Sequence, residues 1–204
     1  MTIETIILAT QNSGKVKEIK LLLAGLTIKI LGAREAGVTD DVEEDAETLE
    51  ANSLKKAAHV AKAAHQWAMA DDSGLFIESL NNAPGIYSSR WAGPDFPREQ
   101  LPDFLLHKMA NIPIEKRNAY WECGLVLVSP AGGHWTFNGR VSGHVATEQH
   151  GQPRPNMPYD TIFVPEGETR TMAEMTEREK NAISHRGRAI AKMKEFITKE
   201  QAQT

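Results

Sequence analysis

Short apolar strands alternating with amphipathic helices predict an α/β protein. One long apolar run, a turn and a second extended segment add at least one antiparallel hairpin. A third observation fixes the organisation: no linker, internal repeat or low-complexity tract divides the 204 residues, so residues 1–204 are expected to form one domain. With 41% hydrophobic residues the chain has enough apolar material for one sizeable core, or one core split by a cleft.

The elements follow in chain order. Ile3 to Thr10 reads as a buried strand around Ile6, Ile7 and Leu8, and Gln11 to Gly14 as a tight loop. A helix is expected from Lys15, with Val16, Ile19, Leu22 and Leu23 at helical spacing and Gly25 as its stop. Thr27 to Leu31 is a second short strand. The acidic stretch Asp40-Asp41-Val42-Glu43-Glu44-Asp45-Ala46-Glu47 leads into a long alanine-rich helix over Thr48 to Trp67. Trp67 to Ala70 reads as a strand entering a turn at Asp71-Asp72-Ser73-Gly74, with another strand over Leu75 to Leu80. Gly, Pro, Asn and Ser make Asn81 to Pro97 largely loop. Leu101 to Asn111 is helical, and Ala119 to Ser129 is the clearest strand, turning at Pro130 to Gly133 into Trp135 to Val145. Gln149 to Pro158 is a polar, proline-rich loop, and Thr161 to Val164 is short and extended. Thr176 and Glu179 form a capping box, and an amphipathic helix closes the chain from Ser184 to Glu200.

The net charge of −4 argues against a nucleic-acid backbone as the main ligand, while a local basic pocket would suffice for a small polyphosphate. Cys123 is the only cysteine, so no intramolecular disulfide forms, as suits a reducing compartment. The first residues lack a basic, cleavable leader pattern, and no apolar run approaches a membrane span. A cytoplasmic protein without a membrane partner is the expectation.

Four segments have chemical potential. Thr10-Gln11-Asn12-Ser13-Gly14-Lys15 joins a strand to a helix, where backbone N–H groups converge and Lys15 adds a positive charge. It is a natural phosphate site but not a Walker A loop, because Val16 follows the lysine; an ordinary strand–helix turn has the same composition. The acidic run suits a helix N-terminus, and one of its carboxylates would also suit a hard divalent cation. Asp71 and Asp72 are expensive to bury unless a cation or a proton offsets them. Asp72 is therefore a candidate for both holding magnesium and orienting a water. Lys180, His185 and Arg186 gather around a helix junction, where cations oppose the helix dipole and an anionic ligand would relieve the conflict. His59, His65, His107 and His150 lack metal-ligand spacing, and Trp91, Trp121 and Trp135 read as core residues.

These segments occur in a recognisable order: Thr10-x-Asn12-x-x-Lys15-x-x-Glu18; Glu43-Glu44…Glu50-x-Asn52-x-x-x-Lys56-Ala57; Ala70-Asp71-Asp72-Ser73-Gly74-Leu75; Ala83-Pro84-Gly85-Ile86-Tyr87-Ser88-Ser89-Arg90-Trp91-Ala92-Gly93; Tyr159-Asp160-x-x-Phe163; and Glu179-Lys180-Asn181-Ala182-Ile183-Ser184-His185-Arg186-Gly187. Together they resemble the inosine/xanthosine triphosphate pyrophosphatase family over nearly the whole chain. The resemblance implies a long twisted mixed sheet with helices, forming two lobes around a nucleotide cleft, in a homodimer. It implies magnesium-dependent hydrolysis of ITP, dITP and XTP to the monophosphate and pyrophosphate. By position, Thr10 to Lys15 would cradle the phosphates, Glu43 or Glu44 would join Asp72 at the metal, and Asp72 would be the general base with Ser73 beside it. Met157, Pro158, Tyr159, Asp160, Lys180, His185 and Arg186 would grip the nucleotide. One departure concerns the base: Met157-Pro158 stands where the family usually has Phe-Gly, and Pro158 lacks an N–H. Two alternatives stay open, the same chemistry on another base and a nucleotide-binding sensor that does not hydrolyse.

Overall fold

The structure, a computed structural model, describes residues 3–40 and 42–202. Strands β1 (Thr5–Leu8), β2 (Lys29–Gly32), β3 (Trp67–Ile77), β4 (Pro84–Gly85), β5 (Asn118–Val128), β6 (His134–Val145) and β7 (Phe163–Pro165) form a mixed sheet. Its order is β2-β1-β3-β5-β6-β7, with β4 paired to the far end of β3. The β1–β2 and β1–β3 ladders are parallel; those from β3 through β7 are antiparallel. The helices are α1 (Ser13–Leu22), α2 (Leu49–Ala64), α3 (Leu101–Lys108), α4 (Glu177–Ile183) and α5 (His185–Ala202).

Local chemistry sets the helix boundaries. Asn12 caps α1, its side-chain oxygen accepting from the Lys15 N–H at 3.1 Å. Thr48 caps α2 in the same way, and His65 in the left-handed region ends it, shorter than the alanine-rich pattern suggested. The expected capping box is present at α4, with Thr176 and Glu179 satisfying each other's backbone N–H. Ser184 separates α4 from α5 in extended backbone, and its Oγ accepts from the Gly187 N–H.

The hairpin of β5 and β6 lies where the sequence puts it, but the segment before it departs from expectation. Asp71-Asp72-Ser73-Gly74 is not a turn between two strands. All four residues are ladder members of one eleven-residue strand, opposite Leu125, Gly124, Cys123 and Glu122. The physical reason is that side chains from three helices, α1, α2 and α5, compensate the carboxylates, so the backbone need not leave the sheet to hydrate them.

That strand links two apolar regions. Trp67 and Met69 pack with Cys123, Leu125 and Leu127 beneath α1 and α5, while Ala68 and Ala70 pack against α2 on the opposite face. Leu75 and Ile77 belong to a separate cluster with Leu101, Leu105 and Phe163. Apolar packing thus changes over at Asp71 to Gly74, and the cleft opens there. Cys123, directly opposite Ser73, is fully buried, and burial pushes its thiol up to about 12.

Candidate active site

A strand presents successive side chains to opposite faces. The adjacent carboxylates Asp71 and Asp72 are thereby sent to different partners. Asp71, on the α5 side, accepts from Arg186 Nε at 3.0 Å and lies 3.2 Å from Lys15 Nζ. Arg186 also donates to Glu18 Oε2 at 2.7 Å, which makes a buried network between α1, β3 and α5. Burial works against ionisation of Asp71, but Arg186, Lys15 and Lys56 outweigh it and hold the carboxyl well below the usual range. Asp71 is a permanent anion and a structural anchor.

Asp72, on the α2 side, accepts from Asn52 Nδ2 at 3.3 Å. Burial pushes its carboxyl above the usual range; Glu44 and Asp71 add to the rise while Lys15 and Lys56 oppose it. A carboxyl so raised, bordering a cleft, is a better proton acceptor than an ordinary aspartate.

The cleft between the lobes encloses about 230 Å³. At one end the β1–α1 turn contributes Thr10, Gln11, Asn12 and Lys15 at the α1 N-terminus, where anions are favoured. Lys15 Nζ donates to the Asp71 carbonyl at 3.1 Å, and Lys56 Nζ donates to the same carbonyl at 3.3 Å. Two ammonium groups thus stand together beside Asp72. Burial would lower the Lys56 pKa, yet Asp72, Glu44 and Asp71 reverse that and raise it, so Lys56 stays charged. Glu44 is ion-paired to Lys56 and, at 3.5 Å, to Arg90; burial opposes its ionisation, but Lys56, Lys15 and Arg90 keep it ionised.

At the other end the cleft is lined by Met157, Pro158, Tyr159, Asp160, Lys180 and His185, with Ser73 and Arg186 between the two ends. Lys180 Nζ donates to Asp160 Oδ2 at 2.6 Å and lies 3.0 Å from Met157 Sδ. Tyr159 anchors its loop by donating from its hydroxyl to the Ser88 carbonyl at 2.9 Å. His185 is buried, and burial together with Arg186 and Lys180 holds it well below the usual histidine range, so it is neutral.

Of the residues assigned a binding, catalytic or metal-holding role from the sequence, three stand apart from the cleft lining. Ser13 and Gly14 lie behind the turn against the 154–157 loop, where Ser13 Oγ accepts from Asn156 Nδ2 at 3.3 Å. Glu43 is exposed, whereas Glu44 lines the cleft. Asp41 lies outside the described residues. Trp121 packs against the core cluster of Leu75 and Phe163, as expected, and in addition lines the cleft with its ring stacked on His185, centroids 5.0 Å apart and planes at 11°. Lys56 and Asn52 were given no role from the sequence, yet their i, i+4 spacing places both on the face of α2 toward Asp72. Ser88 and Ser89, from the Ala83–Gly93 segment to which the resemblance assigned no role, also border the cleft, as does Arg98, which no local pattern marks.

Among the described residues no group of three or more His, Cys, Asp or Glu side chains stands in metal-holding geometry. Two carboxylates, Glu44 and Asp72, border the phosphate end and raise each other's cost of ionisation, a repulsion that a divalent cation relieves. This donor set fits magnesium, which takes one or two carboxylates and completes its shell with water and substrate phosphates.

A mixed α/β sheet with a basic helix-terminus turn, paired lysines and a raised aspartate around one cleft defines a protein built to hold a phosphorylated small molecule. Comparison with known proteins makes this specific: the chain belongs to the Ham1 family, whose profile matches residues 6–196. It is 43% identical over 187 residues to a dITP/XTP pyrophosphatase of Streptomyces coelicolor, covering 91% of this chain and 92% of that one. It is 38% identical over 192 residues to a dITP/XTP pyrophosphatase of Geobacter sulfurreducens, covering 94% and 96%. Among solved structures it resembles a HAM1 protein from Coxiella burnetii, with a TM-score of 0.85 at 36% identity, covering 97% of this chain and all of that one. The Ham1 protein of Staphylococcus aureus gives 0.84 at 34% identity over 97% of this chain.

Proposed function

We propose that this chain hydrolyses non-standard purine nucleoside triphosphates, ITP, dITP and XTP, to the monophosphate and pyrophosphate. The observation that carries this reading is the raised, buried carboxyl of Asp72 set at the cleft beside the ammonium groups of Lys15 and Lys56.

In the proposed reaction a water oxygen attacks the α-phosphorus, the bond between that phosphorus and the bridging oxygen to the β-phosphate breaks, and pyrophosphate leaves with the bond electrons. Asp72 accepts the proton of the attacking water. Lys15 and Lys56 neutralise the charge that gathers on the departing phosphates, and the N–H groups of the Thr10–Lys15 turn orient them. Magnesium held by Glu44 and Asp72 would supply further charge neutralisation on the phosphates. Asp71, locked as an anion by Arg186, keeps Lys15 in place and takes no part in proton transfer.

The Met157–Asp160 segment, Lys180 and His185 receive the base. A site that donates to a 6-oxo group is left with an unpaired donor by the 6-amino group of adenine, a mismatch worth about 1–3 kcal/mol. One observation favours a second reading in which the base differs: Pro158 opens the short helix at 158–161 and has no N–H to offer. The assembly expected from the family resemblance is a homodimer in the cytoplasm. No helix among the described residues is long and apolar enough to cross a membrane.

The test is product release with magnesium from ITP, dITP, XTP, GTP, ATP, UTP and dTTP. Pyrophosphate from the first three, with GTP and ATP far slower, supports the proposal. Pyrophosphate from a pyrimidine nucleotide favours the second reading, inorganic phosphate alone rejects the bond assignment, and binding without product points to a sensor. Sedimentation of the purified protein reads the oligomeric state directly.

A further inference from the structure

Arg154 lies between two prolines in the loop before the base end, and its side chain is placed by three acceptors. Nη1 donates to Asp160 Oδ2 at 3.2 Å and to the Met172 carbonyl at 2.6 Å, and Nη2 donates to the Met175 carbonyl. Pro153 and Pro155 restrict the backbone on either side. Arg154 does not line the substrate cleft. It lines a second cavity of about 250 Å³ behind it, and Met157 and Lys180 form the wall shared by the two.

The same Oδ2 of Asp160 accepts from Lys180, so one carboxylate faces two cations. All three groups are largely withdrawn from solvent, with side-chain exposures of 19%, 7% and 4% for Arg154, Asp160 and Lys180. The cluster therefore holds one unit of positive charge in excess, in surroundings where screening is weak. Nearby groups do not cancel it. Glu177 feels both Arg154 and Lys180, but it is exposed, screened by solvent and paired with Lys17 at 2.7 Å; Arg186 is matched by Asp71 and Glu18; His185 is neutral.

We propose that Arg154 is a specificity-determining positioning residue: by sharing Asp160 with Lys180 it leaves the Lys180 charge turned toward the base, favouring bases with an electron-rich edge. Xanthine has two carbonyl oxygens and is the most readily ionised of the common purines, so XTP gains most and adenine nucleotides least. This inference rests on the reading that the base lies at the Met157–Lys180 end.

Full-length wild-type protein and the variants Arg154→Gln, Arg154→Lys, Asp160→Asn and Lys180→Gln are compared on XTP, dITP and ATP by pyrophosphate release. Arg154→Gln is expected to reduce the XTP to dITP ratio of kcat/KM about tenfold, mainly through KM. Arg154→Lys keeps the wild-type ratio, and Asp160→Asn, which removes the shared anion, raises it. A purely structural role lowers all substrates by one factor, so an unchanged ratio in Arg154→Gln overturns the proposal. So does Arg154→Lys behaving as Arg154→Gln. Should Arg154→Gln fail to fold, Asp160→Asn decides, since a ratio that does not rise is equally fatal. Lys180→Gln separates the two levels: if it leaves every ratio unchanged the base lies elsewhere, and if it alone shifts them only the role of Arg154 is lost.

Discussion

At the scale of single residues, the pair Asp71-Asp72 shows how one peptide unit divides two tasks. Side-chain alternation gives Asp71 to Arg186 and Lys15, and Asp72 to Asn52 and the cleft. Only Asp72 is left with a carboxyl raised above the ordinary range. The raised value has a sign that is open to measurement. A carboxyl that holds its proton more tightly when folded contributes stability at low pH, and that contribution is lost as pH rises through the folded-state value. Asp72→Asn, which fixes the uncharged form, is therefore expected to raise Tm near neutral pH while reducing kcat by about 10²- to 10⁴-fold. A variant that is inactive and also less stable would contradict this account.

At the scale of elements, the site depends on how closely α5 approaches the sheet. Gly139 of β6 faces the first turn of α5, where an added Cβ would stand 2.7 Å from the Ala189 nitrogen and overlap the His185 carbonyl. Gly139→Ala should force the helix start outward, cost about 1–3 kcal/mol in a denaturant titration and lower kcat/KM by displacing His185 and Arg186. Unchanged kinetics with unchanged stability would show that α5 accommodates the methyl group. Element scale is also where the sequence was most and least legible. The β1–α1 turn, the hairpin and the capping box at Thr176 announce themselves because each is decided by neighbours in the chain. The continuity of β3 through Asp71 to Gly74 does not, since the compensating Arg186, Lys15 and Asn52 come from distant segments. Family resemblance brought Asp72, Lys180 and the Met157–Asp160 segment onto one list, but only the three-dimensional arrangement separates Glu44 from Glu43. That Trp121 meets the cleft as well as the core was not legible, because an aromatic at an inward strand position looks the same in either setting.

At the scale of the whole molecule, stability and pH are coupled through buried ionisable groups. His185 is held neutral, so the unfolded chain takes up a proton that the folded one refuses. Stability should therefore fall as pH drops below about 6.5, the ordinary histidine value, and continue falling toward the lower folded-state value. Asp71 is shifted in the same direction and adds to the fall at lower pH: its depressed carboxyl preserves stability until the pH drops through the ordinary aspartate range. His185→Gln should flatten the Tm profile between about pH 6.5 and 5, and parallel profiles for variant and wild type would rule the coupling out. The single cysteine gives a view of the same molecule in time. Cys123 sits opposite Ser73 at the changeover between the two apolar regions, sealed from solvent with its thiol protonated. Alkylation requires an exposed thiolate, so a reagent such as iodoacetamide registers only those moments when the α1 and α5 cover lifts from this face of the sheet. The labelling rate becomes a clock for breathing at the centre of the sheet, and bound nucleotide should slow it by stapling the lobes together.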